Sequence, residues 1–346
     1  MVNWLILLKF KKRLFVITFL LFAQTCIANH NLFWLHANSG LWGFFGHKRI
    51  NRVAIFSLPP AMFGFFKENI EFLTEHATDP DKRRYAVEGE AQRHYIDIDH
   101  YALGGKNPFE EVPKKWNDAV AKFSEDTLQA YGIVPWHILV MKYRLQKAFE
   151  TKNVDLILKY AAEIGHYIGD VHVPLHTTEN YNGQLTGQRG IHGLWESRIV
   201  EMDAENYDYF VGKSNYINNV LDFSWNAVYT SHMAVDSVLR LEKELTATFP
   251  SDKKYAYETR GQAVIQVYSK EFCDAYQLLL HGMIERRMRE AIIAVGSIWY
   301  TAWVDAGQPN LSELTSTPPS PELLKELEML NETFQKTEHK GTICDD

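Results

Sequence analysis

Residues 153–196 read NVDLILKYAAEIGHYIGDVHVPLHTTENYNGQLTGQRGIHGLWE, and the first half of that stretch decides the fold. Asn153 has the chemistry of a helix N-cap. After it, Val154, Leu156, Ile157, Tyr160, Ala161, Ile164, Tyr167, Ile168 and Val171 recur at helical spacing until Pro174 stops the pattern. His166 and Asp170 fall off the centre of this apolar stripe, one helical turn apart, so they share a face. His192 and Glu196 repeat the spacing beyond a loop, with His176 between the two pairs. One such pair is usually an exposed ion pair. Its recurrence around a further histidine points to a metal site, because imidazole with carboxylate suits zinc.

The same periodicity continues outward. Residues 235–245, 262–280 and 283–304 read as helices, the last ending at Gly307-Gln308-Pro309, and no run of strands appears. The expected fold is therefore all-α, a single multi-helix domain over residues 42–310. Polar loops fall at residues 180–190 and at 104–113, where two glycines and two prolines cluster. Residues 311–346 read as a peripheral polar tail with one short charged helix over 321–334.

With 346 residues, 46% of them hydrophobic, the chain has enough apolar material for a full core. A formal charge of −7 argues against a broad basic surface for duplex nucleic acid, although bound divalent ions would offset that charge locally. At the N-terminus, Lys9, Lys11, Lys12 and Arg13 precede an apolar run from Leu14 to Ala23, with Ala28 as a cleavage residue. Residues 1–28 are thus expected to be a signal peptide and the protein to be exported. A membrane anchor or a lipoprotein held through Cys26 are the alternatives, but the run is shorter than the ~20 residues that span a bilayer. Only Cys26, Cys273 and Cys344 occur. A disulfide scaffold is excluded, a buried free Cys273 is preferred to a late Cys273–Cys344 bridge, and any metal must rest on nitrogen and oxygen ligands.

The run His166-x3-Asp170-x5-His176, followed by His192-x3-Glu196, resembles the superfamily that joins zinc-dependent phospholipases C to single-strand-specific zinc nucleases. Upstream, Trp42-Gly-Phe-Phe-Gly-His47 is similar to the nucleases' opening Trp-Gly-x-x-Gly-His, and His94-Tyr-Ile-Asp97 to the family's His-aromatic-aliphatic-Asp. The resemblance implies two close zinc ions held by Trp42, His47, Asp79, His94, His166 and Asp170, with Asp170 as the bridge. It implies a third zinc on His176, His192 and Glu196. Asp81 rivals Asp79 within the Asp-Pro-Asp sequence. A water bridging the paired zincs is then expected to attack phosphorus, with Asp79 orienting it and Lys82, where the nucleases carry an arginine, offsetting phosphoryl charge. Tyr95 and Asp97 occupy the positions that stack on and hydrogen-bond a base in the nucleases. His172 is read as a helix-end residue or one that supports a ligand, His100 as structural, and His76, His137, His232 and His281 receive no role.

The family's tryptophan binds zinc through a free amine, so mature protein is expected to begin at Trp42, with residues 29–41 removed as a lead segment. For substrate, Glu196 in place of an aspartate, the Asp-Pro-Asp sequence and the aromatics Phe44, Phe45, Phe63, Phe65 and Phe66 favour a phospholipase-C-like activity narrowly. The Trp-to-His interval with Tyr95 and Asp97 supports the alternative, a single-strand-specific endonuclease. A noncatalytic protein stabilised by zinc is the third reading, set against by the open position that a three-ligand set leaves. No stable protein partner is expected beyond phospholipid or single-stranded nucleic acid as substrate.

Overall fold

A computed structural model describes residues 43–84, 86–260 and 263–336. The expected signal peptide, lead segment, Trp42, Cys26 and Cys344 lie outside the described residues. The principal helices are α1 (Gly43–Ala54), α2 (Asp79–Arg83), α3 (Val134–Glu150), α4 (Val154–Val171), α5 (Val220–Thr248), α6 (Met283–Asp305) and α7 (Pro321–Lys336). Shorter helices and 3-10 turns fill the connections, and the fold is all-α as expected. No described helix is long and apolar enough to cross a membrane.

α4 is the central element. The Asn153 side chain caps it by accepting from Leu156 N at 3.0 Å, and the helix packs against α1, α3, α5 and α6. Nearly all of its second half is buried, from Ala161 to Val171. Trp299 of α6 lies fully inside, donating from Nε1 to Ala161 O at 3.0 Å and packing on Phe66 with ring centroids 5.0 Å apart. Because other helices enclose α4, its polar residues at 163, 166 and 170 are buried too, which α4's own apolar stripe does not foretell.

The crossing of α1 over α4 is unusually close, and two glycines allow it. A Cβ built on Gly165 would stand 1.9 Å from Asn51 Oδ1, and one on Gly169 would stand 2.7 Å from His47 Nδ1. Asn51 uses that proximity, donating from Nδ2 to Ala162 O at 2.9 Å and to Leu73 O at 3.1 Å. Its amide nitrogen thereby ties α1 to α4 and to the helix Ile70–Glu75, while its buried Oδ1 has no partner among the described residues.

One expected helix begins later than its sequence suggests. Residues 263–268 form the strand Ala263–Tyr268, paired with Tyr255–Arg260, and the helix starts only at Lys270. Val264, Ile265, Val267 and Tyr268 are β-branched or aromatic residues that favour strand. The Ser269 hydroxyl then accepts from Phe272 N at 3.1 Å as an N-cap, which fixes the helix start.

Replacing Gly165 by alanine would gain the helix propensity of alanine, about 1 kcal/mol, but would force Asn51 away. We expect a net loss of about 1–3 kcal/mol, the usual cost of overpacking, measured by denaturant unfolding. Stability equal to or above wild type would show that α1 can retreat without cost.

Candidate metal centre

Three groups among the described residues bring ligand-type atoms within 4.8 Å of one another: His47/His166/Asp170, Asp81/His94/His166 and His176/His192/Glu196. All stand around the C-terminal end of α4. α1 contributes His47, α2 contributes Asp81, and the stretch from His94 onward runs beside the turn carrying His176, with Ile96 N donating to His176 O at 2.9 Å. His192 and Glu196 come from the π-helical turn Gly193–Arg198 and the residue before it.

Asp170 joins the first two groups. Its Oδ1 is 3.3 Å from His47 Nε2, and its Oδ2 is 2.9 Å from His94 Nδ1 and 3.3 Å from His166 Nε2. Glu196 does the same for the third group. Its Oε2 lies 2.7 Å from His192 Nε2 and 3.4 Å from His176 Nε2, while Oε1 reaches to 3.7 Å from His47 Nε2. The groups therefore form one continuous centre, with His47 between its halves.

Backbone carbonyls set the direction of three imidazoles. His166 Nδ1 donates to Ala77 O at 2.9 Å, His176 Nδ1 to His94 O at 2.9 Å, and His192 Nδ1 to Tyr181 O at 3.1 Å. A carbonyl can only accept, so Nδ1 holds the proton and each Nε2 presents its lone pair to the centre. His94 is turned the other way: Nδ1 faces inward, 3.0 Å from His166 Nε2, and Nε2 points outward. Buried lone pairs and carboxylates thus converge on shared points with few protons among them. That chemistry fits a bound cation, since buried charges are paired or coordinate metals.

The electrostatics agree. Burial works against ionisation of Asp170 and Glu196, yet the surrounding histidines hold both carboxyls well below the usual carboxylate range. Burial likewise opposes a charge on His47, but Asp170 and Glu196 outweigh it and raise that imidazole to about 10. His166, enclosed beside His47, is lowered by burial.

The structure separates the two aspartates of the Asp-Pro-Asp sequence. Asp81 Oδ1 stands 3.4 Å from His166 Nε2 and 3.7 Å from His94 Nδ1. Asp79 turns elsewhere, its carboxylate accepting from Lys82 Nζ at 2.8 Å and lying 2.7 Å from His76 Nδ1. Positions two apart on a helix differ by about 200° around its axis, so these two short side chains leave α2 in different directions and meet different partners. Lys82 is consequently spent on Asp79. Arg84, three residues after Asp81 as Lys82 is after Asp79, has its Nη1 3.6 Å from Asp81 Oδ1. Choosing Asp81 at the sequence level would have pointed to Arg84 by the same offset.

Tyr95 lies against the Gly132 backbone and donates to Ala130 O at 3.3 Å. Asp97 sits near Asp99 and Glu179; burial first, then those two carboxylates, push it up to about 8. Of the other histidines, His172 ends α4 with Nδ1 donating to Ile168 O at 2.7 Å, and His100 stacks on Tyr131. Of the phenylalanines, Phe65 and Phe66 are buried in the core, while Phe45 and Phe63 pack against it. Cys273 is free and buried.

A helical enclosure of one central helix, with histidines and carboxylates from that helix and five other segments meeting at its end, defines an all-α protein with a candidate metal centre. A family model described as S1/P1 Nuclease matches residues 42–280, more than half of the chain, and the chain belongs to that family. The protein is accordingly a phosphoric diester hydrolase. No relative among curated proteins matches it. The match favours the nuclease alternative over the phospholipase-C-like reading that the sequence supports narrowly.

Asp97 makes stability depend on pH. Its carboxyl titrates at 3.8 when unperturbed and at about 8 in the fold, so the folded state binds the extra proton between those values. Its contribution to stability is full below the lower value and is lost as pH rises through the upper one. Asp97→Asn is expected to flatten the fall in unfolding free energy from about pH 4 to 8; an unaltered pH profile would contradict the assigned shift.

Proposed function

We propose that the protein is a zinc-dependent nuclease acting on single-stranded nucleic acid, with three zinc ions per chain. The continuous centre around Asp170 and Glu196 carries this reading, and the family match supports the choice of nucleic acid over lipid. Asp81, His94, His166 and Asp170 would hold one ion. His47 and Asp170 would hold the second, completed by Trp42 if processing exposes its amine. His176, His192 and Glu196 would hold the third, with a position left open. Zinc in such sets supplies positive charge to phosphodiester oxygens and lowers the pKa of water toward neutrality.

The chain's own residues set the geometry. Asp170 turns Oδ1 toward His47 and Oδ2 toward His94 and His166, so it would serve both of the paired sites. Arg84, rather than Lys82, brings a cation to the edge of the centre and is suited to a phosphate oxygen. Asp79 and Lys82 hold the α2 turn instead of meeting substrate. Tyr95, next to the ligand His94, offers a ring for base stacking, and Asp97, which retains a proton near neutral pH, can donate to a base as well as accept from one. The export signal remains part of this proposal: a secreted or periplasmic enzyme whose processing ends at Trp42.

Two measurements test the reading. Zinc-loaded protein is expected to cleave single-stranded DNA and RNA, to lose that activity to a chelator, and to leave phosphatidylcholine intact; turnover of the lipid alone would reverse the substrate choice. For the ligand sets, His176→Ala and Asp81→Ala should each lower the zinc bound per purified chain and reduce activity by orders of magnitude, with far-UV circular dichroism unchanged. Asp79→Ala should retain full zinc. Loss of zinc in Asp79→Ala but not in Asp81→Ala would return the ligand role to Asp79.

A further inference from the structure

The metal centre leaves the outward nitrogen of His94 unexplained. His94 Nε2 is completely buried and has no hydrogen-bond partner among the described residues. The group facing it is the carboxylate of Glu90, one helical turn earlier in sequence, with Oε1 3.8 Å away. Glu90 is itself fully enclosed and is held by three donors. Arg93 Nη1 donates to Oε2 at 2.6 Å, the Tyr167 hydroxyl donates to Oε1, and Arg83 Nε stands 3.5 Å from Oε2.

Each of those donors belongs to a segment that also carries a member of the Asp81/His94/His166 group. Arg83 follows Asp81 by two residues on α2, Arg93 precedes His94, and Tyr167 follows His166 on α4. Arg83 further donates from Nη1 to Glu163 Oε1 at 2.7 Å, which adds a second tie between α2 and α4. A buried carboxylate with this many donors is costly to assemble and is stable only when every member is satisfied. A histidine that ligates metal through one ring nitrogen is typically oriented by a carboxylate or carbonyl at the other. In this centre His166, His176 and His192 have carbonyls in that position, and among the described residues Glu90 is the group presented to His94.

We propose that Glu90 is a positioning residue for zinc binding: it orients His94 through Nε2 and, through Arg83, Arg93 and Tyr167, holds the three segments that bring Asp81, His94 and His166 together. This deepens the metal-centre reading and rests on it. Glu90 touches neither metal nor substrate and acts through His94.

The test is a chelator competition that resolves the zinc ions of the full chain by affinity, run on wild type, His94→Ala, His176→Ala, Glu90→Gln and Tyr167→Phe. His94→Ala identifies which ion belongs to His94. Glu90→Gln is expected to weaken that same ion by about ten- to a hundredfold, with the ion lost in His176→Ala keeping its wild-type affinity. Tyr167→Phe, which removes one donor to Glu90 and keeps the ring, should weaken the same ion by a smaller factor and serves if Glu90→Gln does not fold. Cobalt in place of zinc should show an altered visible absorption in Glu90→Gln, which a loss of stability alone would not produce. Wild-type affinity for the His94 ion in these variants, or equal weakening of all three ions, overturns the proposal. A His94→Ala protein that binds as much zinc as wild type would instead overturn the metal assignment beneath it.

Discussion

The approach of α1 to α4 governs the rest of the centre. Gly165 and Gly169 remove the side chains that would keep the helices apart, Asn51 fills part of the space with a bonded amide, and His47 comes down beside His166 with ring centroids 3.9 Å apart. Only at that separation does His47 reach Asp170 and Glu196 together. A side chain at position 169 would push on the imidazole itself, so packing and ligand geometry are here the same constraint. Interiors packed as densely as crystals transmit such a shift rather than absorb it.

Asp170 explains why so polar a cluster tolerates burial. Carboxylates and imidazoles removed from water are expensive unless they are paired or bind a cation. Each oxygen of Asp170 meets imidazole nitrogens on a different side, and the high proton affinity of His47 shows how strongly these anions call for positive charge. A divalent ion meets that demand better than a proton can. Zinc entering the centre would therefore displace protons from it, which makes its affinity rise with pH through the neutral range.

Much of this was legible in the chain. The periodicity from Val154 to Val171 gave the central helix, and the spacing of His166, Asp170, His176, His192 and Glu196 gave residues that the fold does bring together. Spacing along a chain failed where a short turn decides direction. Asp79 and Asp81 lie two residues apart in a five-residue helix, and only the orientation of α2 against α4 selects Asp81. The Glu90 network was invisible for a related reason. Glu90, Arg83, Arg93 and Glu163 look like solvated surface charges in sequence, and nothing local marks them as buried partners from separate segments. The strand Ala263–Tyr268 shows the opposite error, a short apolar run whose period does not distinguish strand from helix.

The family match ends at residue 280, yet the centre depends on two helices beyond that point. α6 packs on α1, α3 and α4, and places Trp299 against the backbone of α4 at Ala161. α7 lies over α2, with Leu323 and Leu327 buried, Lys159 of α4 bonded to Glu326 at 2.5 Å, and Phe334 6.0 Å from Phe44. It thus touches the helix that carries Asp81 and the helix that carries His47. Neither α1 nor the five-residue α2 has enough apolar surface to hold its angle alone, because helices this short gain their order from tertiary packing. Within the segment that reads as a polar tail, Pro321–Lys336 is a brace running from the start of α4 toward the N-terminal end of α1, packed on helices that carry the candidate centre.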